Sequence, residues 1–364
     1  MCIRDRLTNP PTSTEGPGSP ESASGNEAAA ILNGLYAALP VTNGVKEVAT
    51  AEELADALAD SSISIITLKD DVEISSTLTV NRTVTLDLNG NVLKMTGSDS
   101  VIKVEADGDL TIQDRNTTTQ HTFNPHCKYQ FWYIDMWELD KDGSEIVSGG
   151  VITGGGGDQN NGGGVLVAGG TLTMAGGSIV GCSARSRGGG VYLGKDSDTG
   201  KSGTFIMTSG SIIGCAAQLG GGVYVTSGCT FVMATSSNIH NCIANNDGGG
   251  VINHGTFQMH GGTISACTTV AFGGGGVCNK GTFIMSDGMI KGCTSPDGQY
   301  ASGGGVRNSN QFTMTGGMIG DPDNENDASH VYNTSSQETT LTISGNAKIY
   351  TDITNLSLIH ISEP

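Results

Sequence analysis

The sequence predicts an all-β solenoid of short coils stacked in parallel, and three observations predict it. Glycine is enriched and clustered: 56 of 364 residues, about 15%, roughly twice the usual share. A glycine triplet, a short apolar run and a Thr-Phe-x-Met recur between residues 162 and 319, as in "GGGVINHGTFQM" at 248–259. Within each run the apolar residues stand two apart, which is the period of a strand with one buried face. A strand of three to five residues cannot bury that face alone, so stacked neighbours must cover it.

Composition narrows the alternatives. Collagen is excluded because glycine does not fall at every third residue and only nine prolines are present. Disorder of the whole chain is excluded because 36% of the residues are hydrophobic and regularly spaced. A formal net charge of −18 and a pI near 4.6 argue against nucleic acid or an anionic membrane as partner. No stretch reaches the 18 or more apolar residues of a membrane-spanning helix, and the first residues lack the apolar core of a signal peptide.

Residues 1–44 are expected to be a disordered linker preceded by a non-native tail. The opening "MCIRDR" and the closing "SLIHISEP" both resemble translated sequencing-adapter ends, so residues 357–364 are expected to be a non-native tail as well, with any export signal or anchor lost beyond the two ends. Residues 7–27 are rich in Pro, Ser, Thr and Gly, and "AAAILNGLYAAL" at 28–39 reads as a short helix halted by Pro40.

The solenoid is expected to occupy residues 45–356. It opens with a short amphipathic helix, "TAEELADALAD", in which Leu54, Ala55 and Leu58 lie at helical spacing and Thr50 with Glu53 forms a capping box. Alternating runs follow in "ISIITLKDDVEI", "TLTVNRTVTLDLNG" and "VIKVEADGDLTIQD", each read as strands bounded by turns. Residues 116–147 break the pattern with "FWYIDMWELD" and are read as a folded aromatic insertion projecting from the scaffold.

From Val151 the repeat takes over. The valine closing each triplet stands at 165, 191, 223, 251, 277 and 306, at intervals of 26, 32, 28, 26 and 29 residues. A methionine recurs at 174, 207, 233, 259, 285 and 314, and an isoleucine at 179, 212, 239, 264, 290 and 319. Each unit thus holds three strand-like runs whose apolar residues form interior ladders, while longer intervals mark outward loops such as "GKDSDTGKSG". Asn253, Asn279 and Asn308 take the inward slot that holds Val167, Leu193 and Val225 in earlier coils, which predicts a stacked amide ladder. Cys182, Cys215, Cys242, Cys267 and Cys293 recur 25 to 33 residues apart, unlike a metal-binding C-x-x-C pair, and are expected to form a buried column of free thiols.

"GGGVYV…GTFIMTSGSIIGC", preceded by the capping helix and "VTLDLNG", resembles the right-handed parallel β-helix proteins of the pectin-lyase-like superfamily. Within it the chain is similar to glycine-rich, adhesin-like surface proteins of gut bacteria and to the repeats of polymorphic outer membrane proteins. The resemblance implies a secreted or cell-surface scaffold without catalysis that contacts polysaccharide or host-surface glycans. It also keeps a polysaccharide lyase or hydrolase with an atypical site as the alternative, although fold does not dictate function.

Residue by residue, the enzyme motifs of that superfamily are sparse. The polygalacturonase N-T-D and G-H-G motifs are missing, and the D-D pair, Asp70 and Asp71, falls at the first coil. The arginines of the regular coils are Arg185, Arg187 and Arg307. Ligand candidates are Trp132, Tyr133 and Trp137 of the insertion, whose rings suit sugar faces if exposed. Asp321, Asp323, Glu325 and Asp327 alternate in an acidic loop and are the calcium candidates, though the loop lacks the glycine and final glutamate of an EF-hand. His254 and His260 recur in no other coil and are expected to be exposed. No cofactor other than calcium is suggested.

Overall fold

Strands with one apolar face and glycine at their ends can close into a coil, and successive coils then hydrogen-bond one above another. A computed structural model describes residues 44–129, 134–156, 161–296, 303–323, 330–334, 339–350, 353–354 and 359–361 as such a stack, a parallel β-helix. They fall within one unit, Thr42–Pro364; the preceding unit, Met1–Val41, lies outside the described residues, as do Thr42 and Asn43.

Three parallel sheets form the walls. A ten-stranded sheet of short strands runs from Leu78–Val80 through Val165–Ala168 and Val251–Asn253 to Ile353–Thr354. A seventeen-stranded sheet carries the second and third runs of every coil. In the middle coils these two runs join into one strand, such as Thr171–Val180 or Thr256–Ser265, with an irregular register at the glycine bend between them. A small fourth run after each cysteine, from Ser183–Arg187 to Thr268–Thr269, builds a four-stranded sheet. The sequence pattern does not announce this run because its residues are mostly small or polar.

The predicted ladders pair in register. Val165, Val191, Val223, Val251, Val277 and Val306 face one another in succession, and Val331 continues the column. The six methionines do the same, as do the six isoleucines. All of these side chains are fully buried. Between them Phe205, Phe231, Phe257, Phe283 and Phe312 stack with centroids 4.5 to 4.9 Å apart, the spacing of adjacent strands.

The glycine triplet has a different cause at each position. The first glycine turns the corner at φ between 66° and 77° in six coils, a region costly for residues with a Cβ. A Cβ on the second would run into carbonyl oxygens of the next coil. A Cβ on the third, Gly164, Gly190, Gly222, Gly250 or Gly276, would stand within 2.7 Å of a carbonyl oxygen of the next triplet and close to the ladder isoleucine. The repeat therefore records how tightly consecutive coils pack at this corner.

The amide ladder forms as expected and is one rung longer. Asn253 donates to Asn279, Asn279 to Asn308 and Asn308 to Asn333, each at 2.8 Å, and all four are fully buried. Each of the first three also donates to a strand carbonyl, of Thr282, Gln311 and Thr340 respectively. The five cysteines of the column form no disulfide and are fully buried, with sulfurs 3.3 to 3.9 Å from strand carbonyls.

Ala51–Ala59 is the helix that covers the first coil, burying Leu54 and Ala57. Thr50 caps it by accepting from the Glu53 N–H at 3.2 Å, while the Glu53 carboxylate reaches back to the Ala49 N–H at 2.8 Å. Arg82 then ties the far end to the coils by donating to the carbonyls of Ala57, Leu58 and Ile63. The insertion is a three-stranded antiparallel sheet, Ile134–Leu139, Gln120–Tyr129 and Glu145–Ser148, with the middle one central. Part of the tail expected to be non-native, Ile359–Ile361, pairs in parallel with Leu341–Ile343.

Candidate functional site

Inward positions of every coil are filled by side chains, so any ligand meets the outer faces. On the ten-stranded sheet the outward slot forms a column in register: Thr79, Lys103, Leu166, Tyr192, Tyr224, Ile252, Cys278 and Arg307. An outward slot is ordinarily polar; here its middle is aromatic and apolar. The small fourth sheet rises beside this column, and Leu219 packs with Tyr192, Tyr224, Ile252 and Cys278. The flank along this column, open as a pocket at the first coils and filled at Tyr224, Ile252 and Cys278, is the outer groove.

Three zones follow along the groove. At the first coils a half-open pocket of about 280 Å³ is lined by Thr77, Thr79, Asp99, Ser100, Lys103 and Asn161 together with Leu166. Asn161 Oδ1 is buried there without a hydrogen-bond partner. In the middle Tyr192 stacks on Tyr224 and Tyr224 on His254, both at 5.5 Å, and the Arg187 guanidinium lies 5.4 Å over the Tyr224 ring. Beyond them Asp247 receives Lys280 at 3.0 Å and Arg307 at 3.1 Å.

Electrostatics distinguish the zones. Burial, reinforced by the Lys280 and Arg187 charges, lowers the pKa of His254, so its ring is neutral at pH 7. Burial works against the Lys280 ammonium, yet Cys278 and Asp247 beside it hold its pKa above the ordinary value. Burial, with Asp247 adding to it, pushes the Cys278 thiol up to about 12.

The residues singled out in the sequence lie elsewhere. Trp137 is only 7% exposed: its ring packs with Phe123, Val92, Val151, Val180, Ile213 and Val147, and its backbone N–H donates to the Gly214 carbonyl at 3.0 Å. It therefore anchors the insertion on the coils and presents no open face to a sugar. Trp132 and Tyr133 lie outside the described residues. Asp321 accepts the Asp323 N–H at 3.1 Å and pairs with Lys291 at 3.2 Å, and these two contacts lower its pKa. Glu325 and Asp327 also lie outside the described residues. Among the described residues no group of three or more His, Cys, Asp or Glu side chains is placed to hold a metal.

Two histidines depart from expectation. His254 is half-buried in the aromatic stack, and His260 is half-buried with Nδ1 2.8 Å from the Ser286 hydroxyl. Asp70 and Asp71 are occupied with backbone: Asp70 accepts the Asp71 N–H at 2.9 Å and Asp71 the Val92 N–H at 2.8 Å.

Stacked parallel coils define a parallel β-helix. Residues 45–155, from the first strand through the insertion, match the family described as a pectate lyase-like adhesive domain. No curated protein and no solved structure matches the chain. Among the described residues no helix is long and apolar enough to cross a membrane.

Proposed function

We propose that this chain is a non-catalytic adhesive β-helix of the cell surface or secreted milieu that contacts glycans along its outer groove. The observation that carries the reading is the outward column itself. Over consecutive coils it offers the half-exposed rings of Tyr192 and His254 at the two ends of a stack whose middle ring, Tyr224, is covered, with Asn161, Asp99 and Thr79 as hydrogen-bonding groups at one end. Apolar ring faces beside a few polar groups suit the alternating faces of a sugar. The matched adhesive-domain family supports the same reading.

The reading invokes no cofactor, and it competes with a lyase or hydrolase acting in the same groove. Incubation with a panel of plant and host glycans separates the two. Binding without new reducing or unsaturated ends, weakened about tenfold by Tyr192→Ala, is the expected result. Reproducible cleavage overturns it.

A further inference from the structure

We propose that the middle of the groove binds an oxoanion carried by a glycan, a carboxylate or a sulfate ester held by Arg187, Lys280 and Arg307. The inference rests on the glycan reading above and names the charge class of its ligand. Its starting point is an anomaly: in a chain of net charge −18, two cations, Lys280 and Arg307, converge on one carboxylate, Asp247, and a third, Arg187, lies over the neighbouring Tyr224 ring.

Asp247 uses both oxygens, Oδ2 for Lys280 and Oδ1 for Arg307 Nη1. Among the described residues no other carboxylate pairs with these three groups, so Asp247 balances one of the three charges and leaves two. His254, next to Lys280 in the outward row, does not offset them, because its ring carries no negative charge in either protonation state. The Lys280 and Arg307 side chains remain 33% and 23% exposed, so both stay open to the groove. Arg307 Nε is buried and has no hydrogen-bond partner. A buried guanidinium N–H without an acceptor is unfavourable, which favours a shift of the Arg307 side chain that brings this N–H to an oxoanion on the flank. A sugar lying along the Tyr192, Tyr224 and His254 stack runs toward these groups, since Asn253 and Asn279 pair in register and His254 and Lys280 follow them. The exposed Arg187 guanidinium stands at the rim of the same stack.

Titration calorimetry on the full chain tests the proposal with four probes: a neutral oligosaccharide, the same backbone bearing carboxylates, the same backbone bearing sulfates, and sodium sulfate alone. At least one charged oligosaccharide should bind about tenfold more tightly than the neutral one, and raising salt to 0.5 M should erase most of that preference. The tighter of the two charged arms identifies the source of the oxoanion. Arg187→Gln, at an exposed residue, and Arg307→Lys, which keeps the charge facing Asp247 but removes Nε, should each reduce the preference at least threefold. Equal binding of neutral and charged sugars overturns the oxoanion site and leaves the glycan reading standing. Failure of every glycan to bind overturns both. Sodium sulfate binding as tightly as the sulfated sugar, an adventitious ion only, overturns the proposal, as does a preference that neither variant changes.

Discussion

Replacing Asn279 by leucine removes the central rung of the amide ladder while keeping a side chain the slot can hold, since Leu193 fills the equivalent position in an earlier coil. Asn279 donates to Asn308 Oδ1 and to the Gln311 carbonyl, both at 2.8 Å, and accepts from Asn253 Nδ2 at 2.8 Å and from the Gly281 N–H at 3.3 Å. After the change Asn253 keeps the Thr282 carbonyl and Asn308 keeps the Asn310 N–H, but the Gly281 N–H loses this acceptor inside a dry core. An orphaned buried donor costs about 1–3 kcal/mol, and three further lost bonds cost about 1 kcal/mol each. Transfer of the leucine side chain offsets about 2 kcal/mol, leaving a net loss of about 2–4 kcal/mol. Asn253→Val should cost about 1 kcal/mol less, because the rung above Asn253 is Val225 and no amide is stranded on that side. Urea unfolding followed by far-UV circular dichroism reads both variants. A leucine variant within about 0.5 kcal/mol of the parent would falsify the view that the ladder stabilises the downstream coils.

Other outcomes follow from particular contacts. Gly250→Ala should lower stability by about 2–3 kcal/mol in thermal unfolding, because its Cβ would lie 2.6 Å from the Gly276 carbonyl and 2.9 Å from Ile264. Gly292→Ala should cost only about 1 kcal/mol, since its surroundings are open and Ala266 already holds the same corner at φ 51°; equal losses for the two glycines would contradict the packing account. Trp137→Ala should release the insertion, with hydrogen exchange accelerating at 120–126 and 145–148 but not at 256–265, and unchanged exchange would sink the anchoring role. Cys278 has a folded pKa near 12 against an ordinary value of 9.0, so its contribution is complete below pH 9 and is lost as pH rises toward 12. Cys278→Ala should therefore lose less stability than the parent between pH 9 and pH 11, and parallel pH profiles for the two proteins would refute the assignment.

Much of the architecture was legible because a stack in register turns sequence period into spatial neighbourhood. The valine, methionine and isoleucine series pair one to one, and the three predicted asparagines lie in one column. The fourth rung, Asn333, escaped because the glycine triplet that marks the earlier coils does not precede Val331. The groove escaped for a related reason. Attention to the inward positions passes over Tyr192 and Tyr224, although two tyrosines at one outward slot in consecutive coils are the signal that points to it. The cluster of Arg187, Asp247, Lys280 and Arg307 had no such signal, because Asp247 and Arg307 are 60 residues apart and lie on different sheets.

Trp137 shows the limit from the other side. An aromatic-rich insertion is equally compatible with an exposed sugar platform and with a buried anchor, and its local sequence is the same in both. Packing decided: the Trp137 ring lies against Gly214, at a corner where a Cβ would strike it, and the insertion closes over the coils there. The sequence by itself determined the coil, its ladders and its corners, because each is set by residues a fixed distance apart along the chain. Which outward side chains meet, which are covered and where charge accumulates were decided only by the tertiary structure, since those contacts depend on how far each coil turns before the next begins.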